Sequence, residues 1–285
     1  MRSVQEILYL STDFLKQKGV QNARRQAEEL LGDALGVSRV QLYMEFERPL
    51  SDAELAKSRS ALMRRAKGEP AQYIHGEVEF HDCAIKVTRD VLIPRQETGI
   101  LVDKIAQQLA KEDLAGKILW DVCCGSGCIG IALKKRFPQL SVTLADICPR
   151  ALAVAKENAH KNNIEVQLGE GDLLTPMHGQ KCDFFVSNPP YIAQAEYATL
   201  DSEVKDYEPA LALVGGTTGV EFYARLAQDL PQHLHPQGRG WMEIGHTQAV
   251  AIMDLFKGKP WQNPRIEQDY AGHDRFFSVF FLEIE

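Results

Sequence analysis

The 285-residue chain carries 32 Lys and Arg against 39 Asp and Glu, a formal net charge of −7, with 45% apolar and 25% charged residues. Those fractions belong to a globular protein with enough apolar side chains for a sizeable core, and the acidic balance argues against the basic footprint with which proteins grip duplex nucleic acid. No apolar run approaches the roughly 18 residues of a membrane span, and residues 1–20 are interrupted by Glu6, Asp13, Lys16 and Lys18, unlike a signal peptide, so a cytoplasmic location is expected.

Residues 1–75 hold 12 Lys and Arg against 10 Asp and Glu, while the remainder holds 20 against 29. This first segment predicts a small helical domain. Asn22 is placed to cap a helix whose Ala23, Ala27, Leu30, Leu31, Ala34 and Leu35 share one stripe, and Gly36 stops it. Ser51 and Glu54 make a capping box ahead of Leu55 and Leu62. The basic run Lys57, Arg59, Arg64, Arg65 and Lys67 reads as a solvated face. From Gly76 the period changes to two: Val78 and Phe80, then Ile85 and Val87, alternate around His81-Asp82. Residues 76–90 are therefore a β-hairpin linker, and 91–285 the larger domain.

Pro94 ends the extended stretch, and Ile100–Leu109 is helical in pattern. Strands and helices then alternate: strand 118–122, helix 129–136, strand 142–146, helix 150–161, strands 166–168 and 184–187, helix 220–230, strand 241–244, helix 248–256, and strands 265–270 and 276–282. The fold class is α/β, a doubly wound, Rossmann-like seven-stranded sheet whose closing hairpin makes the last strand antiparallel. Cys123, Cys124 and Cys128 are too tightly grouped to chelate zinc well and read as small buried residues, with no metal expected. His233 and His235 flank a Pro-containing turn and read as surface residues.

The segment Asp121-Val-Cys-Cys-Gly125-Ser-Gly127-Cys-Ile-Gly130 follows a strand and opens a helix, satisfying a dinucleotide fingerprint, with Asp146 21 residues beyond Gly125. Asp121 tips the reading elsewhere. A helix N-terminus favours anions, and a carboxylate on the preceding strand end opposes a pyrophosphate there. A sulfonium nucleoside is instead assisted by it, through the loop or directly. On that reading the loop Cys123, Cys124, Gly125, Ser126 and Gly127 holds the donor. Asp146 takes the two ribose hydroxyls, and Asp172 accepts from the adenine amino group with Leu173 against the ring. S-adenosyl-L-methionine is the cofactor this pattern calls for.

Asn188-Pro189-Pro190-Tyr191, after the apolar strand 184–187, names the chemistry. Two prolines stiffen the backbone and remove two amide donors. This leaves the Pro189 carbonyl beside the Asn188 side-chain oxygen as a two-acceptor fork for an –NH2 group, with Tyr191 as a flat face. An amide or exocyclic amino nitrogen has its lone pair delocalised. Hydrogen bonds to both N–H groups turn that nitrogen toward a methyl donor, and no dedicated general base is required.

With these motifs in hand, the chain resembles the HemK/PrmC family of protein-(glutamine-N5) methyltransferases that modify peptide chain release factors. The resemblance spans nearly the whole chain. It runs through Asn22-Ala-Arg-Arg-Gln-Ala-Glu-Glu, Gln72-Tyr-Ile-His-Gly-Glu, Val91-Leu-Ile-Pro-Arg-Gln-Glu-Thr, the glycine loop, Ser187-Asn-Pro-Pro-Tyr-Ile, Tyr207-Glu-Pro-Ala-Leu, Glu243-Ile-Gly and Asp269-Tyr-Ala-Gly-His-Asp-Arg. It implies a class I methyltransferase fold, with the cofactor against residues 123–127, Asp146, Asp172, Leu173 and Asn188. It also implies that residues 188–191 hold the glutamine of a Gly-Gly-Gln loop and that the N-terminal domain docks the release factor. A monomer suffices, with neither nucleic acid nor membrane in direct contact. The family usually has Gly-Thr at Cys123-Cys124, proline at Gln96 and an acidic residue at Gly99. Two alternatives are a nucleic-acid amino methyltransferase, which needs the same fork and a flipped base, and a non-catalytic scaffold, against which the intact motif argues.

Overall fold

A computed structural model of the chain describes residues 2–282. The chain forms two units, Met1–Glu77 with Asp201–Tyr207, and Val78–Leu200 with Glu208–Glu285.

The first unit is helical: α1 (Val4–Gln17), α2 (Ala23–Leu35), α3 (Arg39–Met44), α4 (Asp52–Ala66) and α5 (Ala71–His75). Ser3 with Glu6, Ser38 with Gln41 and Ser51 with Glu54 form capping boxes at α1, α3 and α4. Asn22 sits at the N-cap of α2 but makes no side-chain capping bond. Its φ of 50° is left-handed, whereas a capping side chain needs the extended backbone that aims it at the N2 and N3 amides. Gly36 ends α2 at φ 69°. Leu8, Leu15, Ala27, Leu30, Leu31 and Leu42 fill the core.

The basic run on α4 is not a uniformly solvated face. Arg65 is only 6% exposed. Its guanidinium donates to the Gln26 side chain, the Glu69 carbonyl and the Glu203 carboxylate, and Arg64 makes two bonds to Glu69. A planar fork of fixed donors can satisfy acceptors from separate segments at once. Glu203 lies 138 residues beyond Arg65, and this pairing, with Tyr207 donating to the Lys67 carbonyl, ties the 201–207 segment into the helical unit.

The second unit opens on the hairpin β1 (Glu77–Phe80) and β2 (Cys83–Lys86), turned by His81 and Asp82 at positive φ. There follow α6 (Gln96–Leu109), β3 (Ile118–Val122), α7 (Cys128–Arg136), β4 (Ser141–Asp146), α8 (Pro149–Lys161), β5 (Gln167–Glu170), β6 (Cys182–Ser187), β7 (Ile192–Ala193) and α9 (Gln194–Tyr197). After α10 (Ser202–Lys205), which belongs to the first unit, come β8 (Val214–Gly216), α11 (Glu221–Asp229), β9 (Leu234–Glu243), α12 (Ala249–Leu255), β10 (Trp261–Gln268) and β11 (Asp274–Phe281).

The main sheet has seven strands in the order β10-β11-β9-β6-β3-β4-β5. Strands β5, β4, β3, β6 and β9 are parallel, and β11 runs antiparallel to both β9 and β10. The sheet is therefore the seven-stranded, doubly wound one with an antiparallel last strand; β11 lies inside it and β10 forms the edge. Strand β9 starts at Leu234, earlier than its apolar end suggests, because it must reach Cys182 at the start of β6. His235 is consequently inside a strand, while His233 stays in the turn before it with its ring edge-on to Trp120, and both are half-buried. Trp120, Phe185, Tyr223, Met242 and Phe277 lie in the core.

Register brings the site together. Val122 pairs with Ala145 and with Ser187, and Ser187 pairs with Met242, so the loops leaving β3, β4, β6 and β9 emerge along one sheet edge. From β3 the chain steps to β4 and β5, then crosses back to β6. Open α/β sheets bind ligands at such a switch point.

Candidate active site

A cavity of about 310 Å³ opens there, of the size that takes a small molecule. Cys123, Cys124, Gly125 and Ser126 of the glycine loop line it, as do Asp146, Asp172, Leu173, Asn188 and Pro190. Most of the residues singled out in the sequence thus share one cavity, though Cys123 and Pro190 lie 67 residues apart.

The loop after β3 is shaped by its backbone. Cys123 has φ 58° and Gly125 and Gly127 are also left-handed. Asp146 holds the turn from the side, its two carboxylate oxygens accepting the Gly125 and Cys148 amides at 2.9 Å each. Each oxygen keeps a second acceptor lone pair. Burial pushes the Asp146 carboxyl up, with those backbone bonds opposing the shift. Fully buried Asn158 on α8 secures the loop from below: its amide nitrogen donates to the Ser126 carbonyl at 2.9 Å and to the Lys86 carbonyl of β2, while its oxygen accepts the Lys86 amide. Burial pushes the Cys128 thiol up to about 12, so it stays a neutral wall residue.

Asp121 lies beneath this loop, fully buried, and does not line the cavity. Its Oδ2 accepts the Gly130 amide at 2.8 Å, an otherwise unpaired donor in the first turn of α7. Asp121 therefore does not reach the cavity directly, and its contact with the region is through the Gly130 amide. Burial pushes its carboxyl up to about 7. Asp172 does face the cavity, but its Oδ2 also accepts from Arg225 at 2.7 Å, both side chains being partly exposed. Leu173, at φ 51°, is buried on the same wall.

At the other end, Asn188 leaves β6 half-buried and lines the cavity. Its Nδ2 donates to Thr98 Oγ1 at 3.2 Å, and Thr98 donates to Glu243 Oε2 at 2.6 Å. Pro189 and Pro190 are buried, and among the described residues no backbone amide bonds to the Pro189 carbonyl. Tyr191 is not on the cavity wall. Its hydroxyl donates to Glu243 Oε1 at 3.1 Å, and its carbonyl accepts from Gln248. The flat face expected of Tyr191 is accordingly replaced by an inward-tied ring, because a buried phenol needs a hydrogen-bond partner. The motif is packed closely from behind: a Cβ at Gly215 on β8 would strike the Pro190 carbonyl.

The residues present fit a sulfonium nucleoside better than a dinucleotide. The first turn of α7, where a pyrophosphate would sit, already has its Gly130 amide occupied by the Asp121 carboxyl. The cavity presents Asp146 and Asp172 to hydroxyl and amino donors between apolar side chains of Ile147, Ala151, Leu173 and Phe222.

Comparison with known proteins decides the family. Residues 6–76 match the PrmC N-terminal domain, and residues 97–212 match the methyltransferase small domain. The release factor glutamine methyltransferase of Geobacter sulfurreducens is 40% identical over 96% of this chain and 95% of its own length. That of Chlamydia trachomatis is 41% identical over 98% and 94%. The chain belongs to the release factor glutamine methyltransferases. It is an S-adenosylmethionine-dependent enzyme, and its sheet is shared by a methyltransferase from Pyrococcus furiosus at 18% identity, TM-score 0.52, covering 71% of this chain and 90% of that one.

Within this methyltransferase, sequence reasoning gave no site role to Thr98, Asn158, Arg225 and Glu243, although Thr98 and Glu243 fall in blocks that carry the family resemblance. Glu243 was within reach of the rule that picked out Asp121 and Asp146, because it too ends a parallel strand beside the switch point. Thr98 and Asn158 sit inside helices α6 and α8, where nothing in the local pattern separates them from ordinary polar residues.

Proposed function

We propose that Asn188, Pro189 and Pro190, with Tyr191 tied behind them to Glu243, form the methyl-acceptor end of this enzyme, with the acceptor amide held between Asn188 Oδ1 and the Pro189 carbonyl. The activity is that of the family, S-adenosylmethionine-dependent methylation of a release-factor glutamine, at N5 and within a Gly-Gly-Gln loop on our reading. One observation carries it: Asn188 lines the same cavity as the glycine loop and Asp146, with its amide nitrogen already engaged by Thr98.

When bound, S-adenosylmethionine supplies a methyl carbon made electrophilic by its sulfonium and departs as S-adenosylhomocysteine. Cys123, Cys124, Gly125, Ser126 and Gly127 hold the donor's amino-acid part, Asp146 the ribose, and Asp172 with Leu173 the base; Asp121 supports the loop. The two acceptors grip the two N–H groups of the glutamine amide and aim its nitrogen, each bond contributing about 0.5–1.5 kcal/mol net. Orientation contributes more, since a misplacement of about 1 Å can cost roughly 100-fold in rate. Once methylated, the nitrogen sheds one of its protons to solvent, and no side chain is needed as base.

Residues 1–75 dock the release factor, 76–90 link, and 91–285 carry catalysis. The enzyme works as a monomer in the cytoplasm without direct contact to nucleic acid or membrane. No described helix is long and apolar enough to cross a membrane. The test is peptide mapping by mass spectrometry after incubating the enzyme, S-adenosylmethionine and a purified release factor. A single methyl gain on the Gly-Gly-Gln glutamine is expected; methyl transfer to a nucleic-acid base instead, or to another residue, overturns the reading.

A further inference from the structure

Asn188 is useful as an acceptor only if its oxygen, not its nitrogen, faces the cavity. The two ends of a carboxamide are nearly equal in size, so packing alone does not choose between them. Hydrogen bonding does. Glu243 is 2% exposed at the end of β9; burial pushes its carboxyl up, while the Thr98 and Tyr191 hydroxyls that donate to it and the nearby Arg275 favour the carboxylate, which accepts but cannot donate. It has two hydroxyl neighbours, Thr98 on its Oε2 at 2.6 Å and Tyr191 on its Oε1 at 3.1 Å. Thr98 has one proton, and it goes to Glu243. Toward Asn188 the Thr98 oxygen is therefore left only as an acceptor, so the amide must present its N–H there, at 3.2 Å. The opposite end of the amide, Oδ1, is then what the cavity receives.

We propose that Glu243 and Thr98 are positioning residues that set the orientation of the Asn188 amide, so that the methyl-acceptor end of the cavity displays an oxygen to the substrate amide. The inference rests on the reading of Asn188 as the acceptor of the glutamine –NH2. Thr98 lines the cavity beside Asn188, but its proton is given to Glu243 and its oxygen accepts from Asn188, so in this scheme both residues act through Asn188. Glu243 has a second hold on the same motif through Tyr191, two residues past Pro189, so one buried carboxylate orders both ends of the tetrapeptide. Its own backbone carbonyl accepts from the buried Tyr223 hydroxyl at 2.7 Å, which locks the strand end that carries it.

The test uses the full-length enzyme with S-adenosylmethionine and a purified release factor, reading kcat and KM for the acceptor and the Kd of S-adenosylmethionine by calorimetry. Thr98→Val keeps the volume and removes the hydroxyl. It is expected to lower kcat by about 10- to 100-fold, with acceptor KM and cofactor Kd each moving less than about threefold. Thr98→Ser, which restores the hydroxyl, should return kcat to within about threefold of the parent. In an Asn188→Ala background Thr98→Val should cost less than about twofold more, because the amide it orients is gone. Equal losses in Thr98→Val and Thr98→Ser, or full multiplication of the Thr98→Val and Asn188→Ala losses, overturn the proposal. So does a Thr98→Val enzyme of near-parent kcat beside a crippled Asn188→Ala, which leaves the acceptor reading standing. A near-parent Asn188→Ala overturns the acceptor reading itself. Glu243→Leu adds a third arm: it removes both acceptors and frees the Thr98 hydroxyl to face either way, so kcat is expected to fall as in Thr98→Val, and a folded variant of parent kcat overturns the role of Glu243. Should that variant melt early, the Thr98 pair alone decides.

Discussion

At the end of the cavity that we assign to the methyl donor, the loop Cys123–Gly127 takes its form from backbone conformation, with left-handed residues at 123, 125 and 127, the Gly125 amide held by Asp146, and the Gly130 amide of the following helix held by Asp121. At the acceptor end, Asn188 takes its orientation from side chains, through Thr98 to Glu243, with Tyr191 on the same carboxylate. A site built on backbone depends less on the side chains that merely line it. A site built on a chain of side-chain hydrogen bonds depends on all of them, because each link sets the donor or acceptor role of the next. The two ends should therefore fail differently when mutated.

The largest effect is expected at the acceptor end. Asn188→Ala should reduce kcat by about 100-fold or more with a melting temperature close to that of the parent, since the residue lies in a loop and half-buried. Turnover assays and thermal melts on one preparation check both halves. Asp146→Ala comes next and should act on binding. Loss of hydrogen bonds to a charged group is worth about 1.5–3 kcal/mol, or roughly 10- to 100-fold in S-adenosylmethionine Kd, with kcat at saturating donor within a few-fold of the parent. A collapse of kcat with unchanged Kd would move Asp146 from the donor end to the chemistry and erase the contrast.

Cys123→Gly sharpens the comparison from the opposite side. The left-handed conformation costs an L-residue about 1–2 kcal/mol, while glycine gives back about 0.5–1 kcal/mol as chain entropy in the unfolded state. The variant should be more stable by up to about 1 kcal/mol, read as a denaturant midpoint, and should bind S-adenosylmethionine as well as the parent. Weaker binding would mean that the Cys123 side chain itself touches the donor.

Asp121 bears on stability against pH rather than on turnover or donor binding. Its carboxyl, pushed by burial up to about 7, holds a proton in the folded chain that the unfolded chain releases near its ordinary value of 3.8. Its Oδ1 is buried without a partner, a place where that proton is accommodated. With more protons bound in the folded state, stability from this group declines as pH rises between about 4 and 7. Asp121→Asn removes the titration, so its denaturant midpoint relative to the parent should improve across that window. A parallel pH profile for the two proteins would show that Asp121 is ionised in the fold.

What the chain's own sequence determined was everything with a local signature. Hydrophobic period separated the helical start from the α/β remainder, and turn chemistry placed Ser51-Glu54, Gly36 and the hairpin at His81-Asp82. The glycine loop and Asn188-Pro189-Pro190-Tyr191 announced themselves because glycine and proline restrict the backbone where they stand. Local pattern misjudged Asn22, whose capping role depended on a backbone angle, and Arg65, whose solvated appearance on α4 dissolved once Glu203 arrived from far along the chain.

Tertiary structure alone decided the pairings. Thr98 with Glu243 spans 145 residues, Thr98 with Asn188 spans 90, and Asn158 with Lys86 spans 72. Asp121, which the sequence left open between acting through the loop and acting directly, became a buried partner of Gly130 for the same cause. A polar side chain on a helix or strand carries no mark of which distant group it will meet, since that partner is set by sheet order and register. Only once β3, β6 and β9 lie side by side do their carboxyl ends, and the residues that follow them, come within hydrogen-bonding distance.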